Sequence, residues 1–274
     1  MNQSKATFNW SFALPWLIYL PTLAVFISLL VVDYSRWDIP TWQVIFTYNL
    51  LLTGCIIAAL SSTIPRVNAF IYTFYWLLLG IIFEYLYINN GLLIHYNRST
   101  FILEIVPVMI VFQWLTLFFV IYSCSTFFSF FIKAKSLKNT FLIRLGLDGV
   151  VMFALTFLFE PIGHKMGFWS WDRGDYGLIF NIPIIVFIEY FIGIMVIMLP
   201  IRWIETYKNV PKKDIYGKWF NFSIFMIFIF LLQGVLFANS TGLTTVRLIA
   251  IIYILLFSGT AILQMKKIRK SSVS

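Results

Sequence analysis

Residues 183–203 read PIIVFIEYFIGIMVIMLPIRW, and the reading of this run decides the fold. Twenty-one residues at about 1.5 Å each reach about 30 Å, the thickness of a bilayer's hydrocarbon core. The run holds one acid, Glu189, and one base, Arg202, near its far end. It is far too long for a strand and lacks the period-two alternation of an outer-membrane barrel. It predicts a membrane-crossing helix. Seven further runs share its character, near 10–32, 43–61, 68–88, 101–132, 141–162, 219–238 and 244–264. Eight spans of about 20 residues each consume about 160 residues, which leaves no room for a sizeable soluble domain in a 274-residue chain. The prediction is therefore one integral membrane domain over 1–274, an all-α polytopic bundle. Run 101–132 exceeds one straight crossing, so its end, SCSTFFSFFIKAK, is expected to tilt or to follow the interface.

Composition points the same way. The chain is 61% hydrophobic and only 11% charged, against roughly 25% charge in soluble domains. That excludes an ordinary globular enzyme, a disordered chain and a disulfide scaffold. The net charge of +9 is then read first as topology. Lys5, Arg66, Lys133, Lys135, Lys138, Arg144, Arg202, Lys208, Lys212, Lys213, Lys218, Lys266, Lys267, Arg269 and Lys270 fall on one side of the eight spans. Arg36, Arg98, Lys165, Arg173 and Arg247 fall on the other. Fifteen against five predicts both termini on the cytoplasmic side of a multi-pass cell-membrane protein. The basic run KNVPKKDIYGK (208–218) reads as an anchor to anionic lipid, and no nucleic-acid partner is implied. The first apolar run is long and lacks a small-x-small cleavage site, so it reads as a span, not a cleaved signal. Cys55 and Cys124 have no spacing partners and read as packing residues. No convincing internal repeat is visible in the sequence.

The acids carry the functional signal. Glu84, Glu104, Asp148, Glu160 and Glu189 lie within or at the ends of apolar runs, where an unpaired carboxylate costs several kcal/mol. Following each span's direction, Glu84, Glu104, Glu160 and Glu189 share one outer layer. Asp148 lies deeper, with Arg144 four residues earlier as its expected ion-pair partner. The connecting segments add His95, Tyr96, His164, Trp169, Trp171 and Tyr176. An aromatic belt accounts for the rings but not for acids buried beside them.

A carboxylic acid in a low-dielectric pocket stays protonated and serves as a general acid. Protonating a carbon–carbon double bond generates a carbocation, which aromatic faces stabilise. Acids among Trp, Tyr and Phe therefore suit hydration, isomerisation or cyclisation of a polyene or isoprenoid. Rival readings are a small proton-coupled transporter and a non-enzymatic interaction protein. Two histidines and no HExxH leave a metal centre without its usual ligands, and no phosphate-cradling loop is present. No cofactor or metal is expected.

Two segments carry a family resemblance. In GIIFEYLYINNGLLIHYNRSTFILEIVPVMIVFQW the residues are Gly80, Glu84, Gly91, Tyr96, Pro107 and Trp114. In LDGVVMFALTFLFEPIGHKMGFWSWDRGDYGLIFNIPIIVF they are Glu160-Pro161, Trp169, Trp171, Tyr176, Pro183 and Phe187. Over about 60–200 the chain resembles the carotenoid 1',2'-hydratase family of integral membrane enzymes, and shares a general look with membrane lycopene cyclases. Glu160 stands where the family has Asp; Val186, Glu189 and Tyr190 stand in its Asn, Gly and Trp places. The resemblance implies a cofactor-independent hydratase acting on a terminal double bond of a carotenoid or other isoprenoid. The shared depth of the acids makes Glu84 or Glu160 the expected proton donor and Glu104 the group that positions or receives the proton, with Asp148 orienting the cavity floor or pairing with Arg144; Tyr96, Trp114, Trp169, Trp171, Tyr176 and Glu189 are the expected substrate-binding residues. The expected partners are an apolar polyene and membrane lipid.

Overall fold

The computed structural model describes residues 41–90, 93–95, 101–102, 106–129, 132, 136–165, 169–171, 177–208 and 219–271. The first expected span, 10–32, lies outside them, as do Tyr96, Glu104 and Tyr176. Seven helices follow in order: α1 (Thr41–Thr63), α2 (Arg66–Asn89), α3 (Val108–Ser129), α4 (Leu137–Lys165), α5 (Ile184–Tyr207), α6 (Trp219–Ser240) and α7 (Thr244–Ser271). Five described helices are long and apolar enough to cross a membrane: α2, α4, α5, and the Ile110–Ser129 and Thr244–Leu263 parts of α3 and α7. The molecule is an all-α bundle with three minute strand pairs at one end.

Local sequence sets the helix ends. Pro65 and Pro183 are extended (ψ 139° and 134°) and immediately precede α2 and α5, since a proline ring has no N–H to contribute to the first turn. The first free amide of α5, at Ile184, donates to the Gly177 carbonyl at 2.8 Å. Gly242 joins α6 to α7 at φ +72°, the left-handed conformation that ends helices with glycine. Five threonines within the bundle are satisfied locally: Thr53, Thr73, Thr116, Thr126 and Thr156 each donate to the carbonyl four residues earlier.

α3 is the central helix, with 89% of its apolar window buried against 22% for α7. Val67, Phe70, Phe74, Val196, Leu255 and Leu256 point outward as large exposed apolar side chains, the surface a lipid-facing bundle presents. Lipid tails are as apolar as leucine, so helix association here depends on close packing and polar contacts. At Gly80 an added Cβ would sit 3.0 Å from the Trp114 Cβ, so α2 and α3 approach to backbone distance.

Two expectations are corrected. The run 101–132 is not one helix: Phe101–Ile102 pairs antiparallel with Val106–Pro107, and α3 begins at Val108. The part of its far end inside α3 does not follow the interface either, because Cys124, Ser125, Thr126 and Phe127 are buried in the bundle.

The third correction concerns repetition. The unit α2, β1 (Leu93–His95), β2 (Phe101–Ile102), β3 (Val106–Pro107), α3 recurs as α4, β4 (Trp169–Trp171), β5 (Leu178–Ile179), β6 (Ile182–Pro183), α5. A constant offset of 76 positions, the separation of Thr126 and Arg202, maps Glu84 onto Glu160, Pro107 onto Pro183 and Trp114 onto Tyr190. The strand pair β1/β4 is centred on Ile94 opposite Ser170, which are equivalent under this offset. Leu93 faces Trp171, and His95 faces Trp169. That register is a local two-fold axis. Equivalent residues meet along it: the Trp114 and Tyr190 rings lie 5.4 Å apart, and Arg202 donates to Thr126. Few identities survive between the halves beyond Phe83-Glu84 with Phe159-Glu160, Gly91 with Gly167 and Pro107 with Pro183. An apolar background makes so sparse a match invisible without the fold.

Candidate functional site

Near the strand end, each half contributes a buried glutamate and an aromatic donor 30 residues later. Trp114 Nε1 donates to Glu84 Oε1, and Tyr190 Oη donates to Glu160 Oε1 at 2.9 Å. Phe83 packs 6.0 Å from Trp114, and its counterpart Phe159 packs 6.2 Å from Tyr190. The repeat thus builds the same half-site twice. Glu84 and Glu160 are 3% and 1% exposed, and their charges are close enough to interact.

The second half-site is elaborated by β4. Trp169 Nε1 and Trp171 Nε1 both donate to Glu160 Oε2, at 2.9 and 2.8 Å. Trp169 can fold over the end of α4 because residue 163 is glycine: a Cβ there would fall 2.1 Å from Trp169 Cζ2. Rings close the space around the acids. Tyr190 meets Trp114, Tyr87 and Trp171 edge-on at 5.4, 5.7 and 6.2 Å, and Tyr87 meets Trp171 edge-on at 5.6 Å. Glu160 therefore accepts three neutral donors and has no cationic partner among the described residues.

A second polar layer lies twelve residues away along each helix, about 18 Å at 1.5 Å per residue. Its centre is Arg202 of α5, fully buried. Arg202 Nε and Nη2 grip Asp148 at 2.8 and 2.7 Å; Nη1 reaches Thr126 Oγ1 at 2.9 Å and Glu205 at 3.2 Å. Nη2 also donates to the Tyr122 carbonyl at 3.1 Å and to Ser125 Oγ. The guanidinium sits 4.5 Å from the Tyr122 ring centre, and the Tyr122 hydroxyl donates to Glu205. All four charges (Arg144, Asp148, Arg202, Glu205) belong to the second half. Their counterparts in the first half are Asn68, Tyr72, Thr126 and Ser129.

The expected site residues thus divide. Glu84, Glu160, Trp114, Trp169 and Trp171 come together. Glu189 lies beside them, half-buried and interacting with Tyr87. Asp148 does not join them: it belongs to the opposite layer, paired with Arg202 and not with Arg144. Arg144 instead faces Glu205 at 3.9 Å. Arg144 was the expected partner because it lies on the same helix; the antiparallel neighbour α5 supplies a better-aimed fork. Arg202 and Arg144 accordingly leave the set of expected loop charges. Sequence reasoning missed Tyr190, Tyr87, Tyr122 and Glu205. The 76-residue offset is the signal that finds Tyr190, since it maps there from Trp114. Among the described residues no group of three or more His, Cys, Asp or Glu could hold a metal.

Comparison of the chain with family models, with curated proteins and with solved structures finds no match.

Proposed function

We propose that the chain is a membrane-embedded acid catalyst that hydrates a terminal carbon–carbon double bond of a carotenoid or other isoprenoid, with Glu84 and Glu160 as the proton-handling pair. The observation that carries this reading is Glu160: a buried carboxyl held by three neutral donors, next to a second buried carboxyl, inside a wall of aromatic rings. A carboxyl partnered only by neutral donors in a low-dielectric pocket is suited to trading a proton, and a second buried carboxyl in the same layer offers a place for that proton to return. One of the pair protonates an alkene carbon. The faces of Tyr87, Trp114, Trp171 and Tyr190 stabilise the cation that results. Water adds to the cation, and its proton goes to the other carboxylate, which restores the pair. The excess of basic loop residues on one side supports a topology in which both termini are cytoplasmic and the strand end faces outward.

Two observations favour other readings of the same geometry. The closed ring wall favours a reaction without water: the second carboxylate then removes a proton from the carbon beside the cation, giving an isomer or a cyclised product. The internal repeat favours a proton-coupled transporter, because parallel repeats about an axis along the membrane normal are a transporter architecture. Against it, both acids lie near one end of the helices.

Purified protein in lipid, incubated with acyclic carotenoids and analysed by mass spectrometry, separates these readings. A gain of one water supports hydration, and an unchanged mass with a shifted absorption supports isomerisation or cyclisation. Full turnover by folded Glu84→Gln and Glu160→Gln variants would refute the catalytic assignment. Proton-dependent flux in proteoliposomes without product formation would replace it with transport.

A further inference from the structure

Six buried side-chain groups have no hydrogen-bond partner among the described residues, and five of them lie in the half of the bundle that holds the ion cluster. They are Tyr72 Oη, Trp76 Nε1, Ser123 Oγ, Arg144 Nε and Thr206 Oγ1; the sixth, His164 Nδ1, is at the strand end. Tyr72, Trp76 and Ser123 are 2%, 0% and 2% exposed. An unmet buried polar group costs about 1–3 kcal/mol, and native interiors leave few of them. Five gathered in one region describe a site and not scattered defects.

Three of them, on Tyr72, Trp76 and Arg144, gather near Glu205. The Tyr122 hydroxyl donates to it, and Arg144 Nη1 approaches it at 3.9 Å. Trp76 packs 5.8 Å from the Tyr122 ring, and Tyr72 packs 6.2 Å from Trp76. Tyr72 is also close enough to feel the charges of Glu205 and Arg202. Indole Nε1–H and guanidinium Nε–H can only donate, so the occupant must offer acceptor oxygens. Two guanidiniums and two carboxylates cancel, so no net charge calls for an anion. Water fits both conditions: it accepts from Tyr72, Trp76 and Arg144 and can donate in return to the Glu205 carboxylate.

We infer a second polar site in this protein, a buried water-binding site ringed by Tyr72, Trp76 and Arg144 that keeps the Glu205 carboxylate hydrated inside a membrane-length bundle. It is distinct from the Glu84–Glu160 pair. Trp76 precedes Glu84 by eight residues on α2, about 12 Å along the axis, and the Trp114 and Phe118 rings stand between the two layers. The inference does not depend on what the glutamate pair does.

Radiolytic hydroxyl labelling of the full chain in lipid nanodiscs, read by peptide mass spectrometry, tests it. Radicals born from bound water mark the side chains beside that water. Tyr72, Trp76 and Tyr122 are expected to label several-fold faster than Phe119 and Phe187, which are equally buried. Equal rates would overturn the site. Tyr72→Phe supplies a second readout that does not rely on labelling. If the hydroxyl has no partner, deleting it removes an unmet group and the unfolding midpoint stays or rises. If the hydroxyl holds water, the midpoint falls and labelling at Trp76 drops several-fold. A midpoint that stays or rises counts against the site.

Discussion

Replacing Asp148 with leucine should cost this protein more than any single substitution on its lipid-facing surface. Asp148 accepts from Arg202 Nε at 2.8 Å and from Nη2 at 2.7 Å, with both side chains wholly buried. Its removal leaves a guanidinium with Glu205, Thr126, Ser125 and a carbonyl but without its two-pronged counter-ion. Breaking a buried pair from one side costs about 3–5 kcal/mol, a shift of roughly 100- to several-thousand-fold in the folding equilibrium. Arg202→Met should cost a similar amount, because it strands Asp148. The double variant Asp148→Leu/Arg202→Met exchanges the pair for apolar volume and is expected to recover about 2 kcal/mol or more relative to the sum of the singles. Equilibrium unfolding in mixed detergent micelles, followed by tryptophan fluorescence and far-ultraviolet circular dichroism, measures all four corners of the cycle. Single-variant costs below about 1 kcal/mol, or additivity within about 0.5 kcal/mol, would refute the view that this pair is one interacting unit.

Other substitutions test the glutamate layer. Glu160→Ala strands two buried donors, Trp171 and Tyr190, and takes one acceptor from the half-buried Trp169; at about 1–3 kcal/mol for each buried donor, thermal unfolding should reveal a loss of about 2 kcal/mol or more, with Glu160→Gln much milder. Gly163→Ala forces Trp169 away from a Cβ that would otherwise sit 2.1 Å from its ring; ultraviolet resonance Raman should then report one weakened indole N–H bond where the parent has two strong ones to Glu160. The exchange Trp114→Tyr/Tyr190→Trp trades equivalent positions across the local two-fold and should fold with a midpoint close to the parent, whereas Tyr190→Phe alone should lower it. Gly242→Ala places a side chain at φ +72° and should cost about 1 kcal/mol in the same unfolding assay.

Most of the helical plan was legible in the sequence because lipid imposes a length rule that single residues cannot disguise. The runs 68–88, 141–162 and 183–203 fall inside the helices Arg66–Asn89, Leu137–Lys165 and, but for Pro183, Ile184–Tyr207. The shared depth of Glu84 and Glu160 was legible for the same reason: direction and rise per residue fix depth. What hydropathy could not give was azimuth, the side of each helix a residue occupies. Asp148 and Arg144 share a helix and looked like partners, but the aim of Arg202 across the α4–α5 interface decides the pairing. Arg202 itself looked like a loop charge because it stands near the end of an apolar run. The short strands were missed because two-residue segments carry no periodicity; only the turn residues Phe180 and Asn181, both at positive φ, distinguish the β5–β6 hairpin from a loop. The repeat escaped because aliphatic positions exchange freely among Leu, Ile, Val, Phe and Met, leaving a few fixed points such as Glu84/Glu160 and Pro107/Pro183.

The confinement of every ion-cluster charge to the second half bears on how the protein enters its membrane. Arg202 and Asp148 travel on the two arms of one helical hairpin, α4–α5, so each arm delivers the charge that cancels the other's. Such a hairpin can leave the insertion machinery as an electrically quiet unit, without waiting for the α2–α3 hairpin. That earlier hairpin contributes only neutral groups to the cluster, the hydroxyls of Tyr122, Ser125 and Thr126 and the Tyr122 carbonyl. Arg202 and Asp148 meet the bilayer as bare charges only if the two arms are separated, which makes the connection between α4 and α5 the one whose cutting biogenesis would tolerate least.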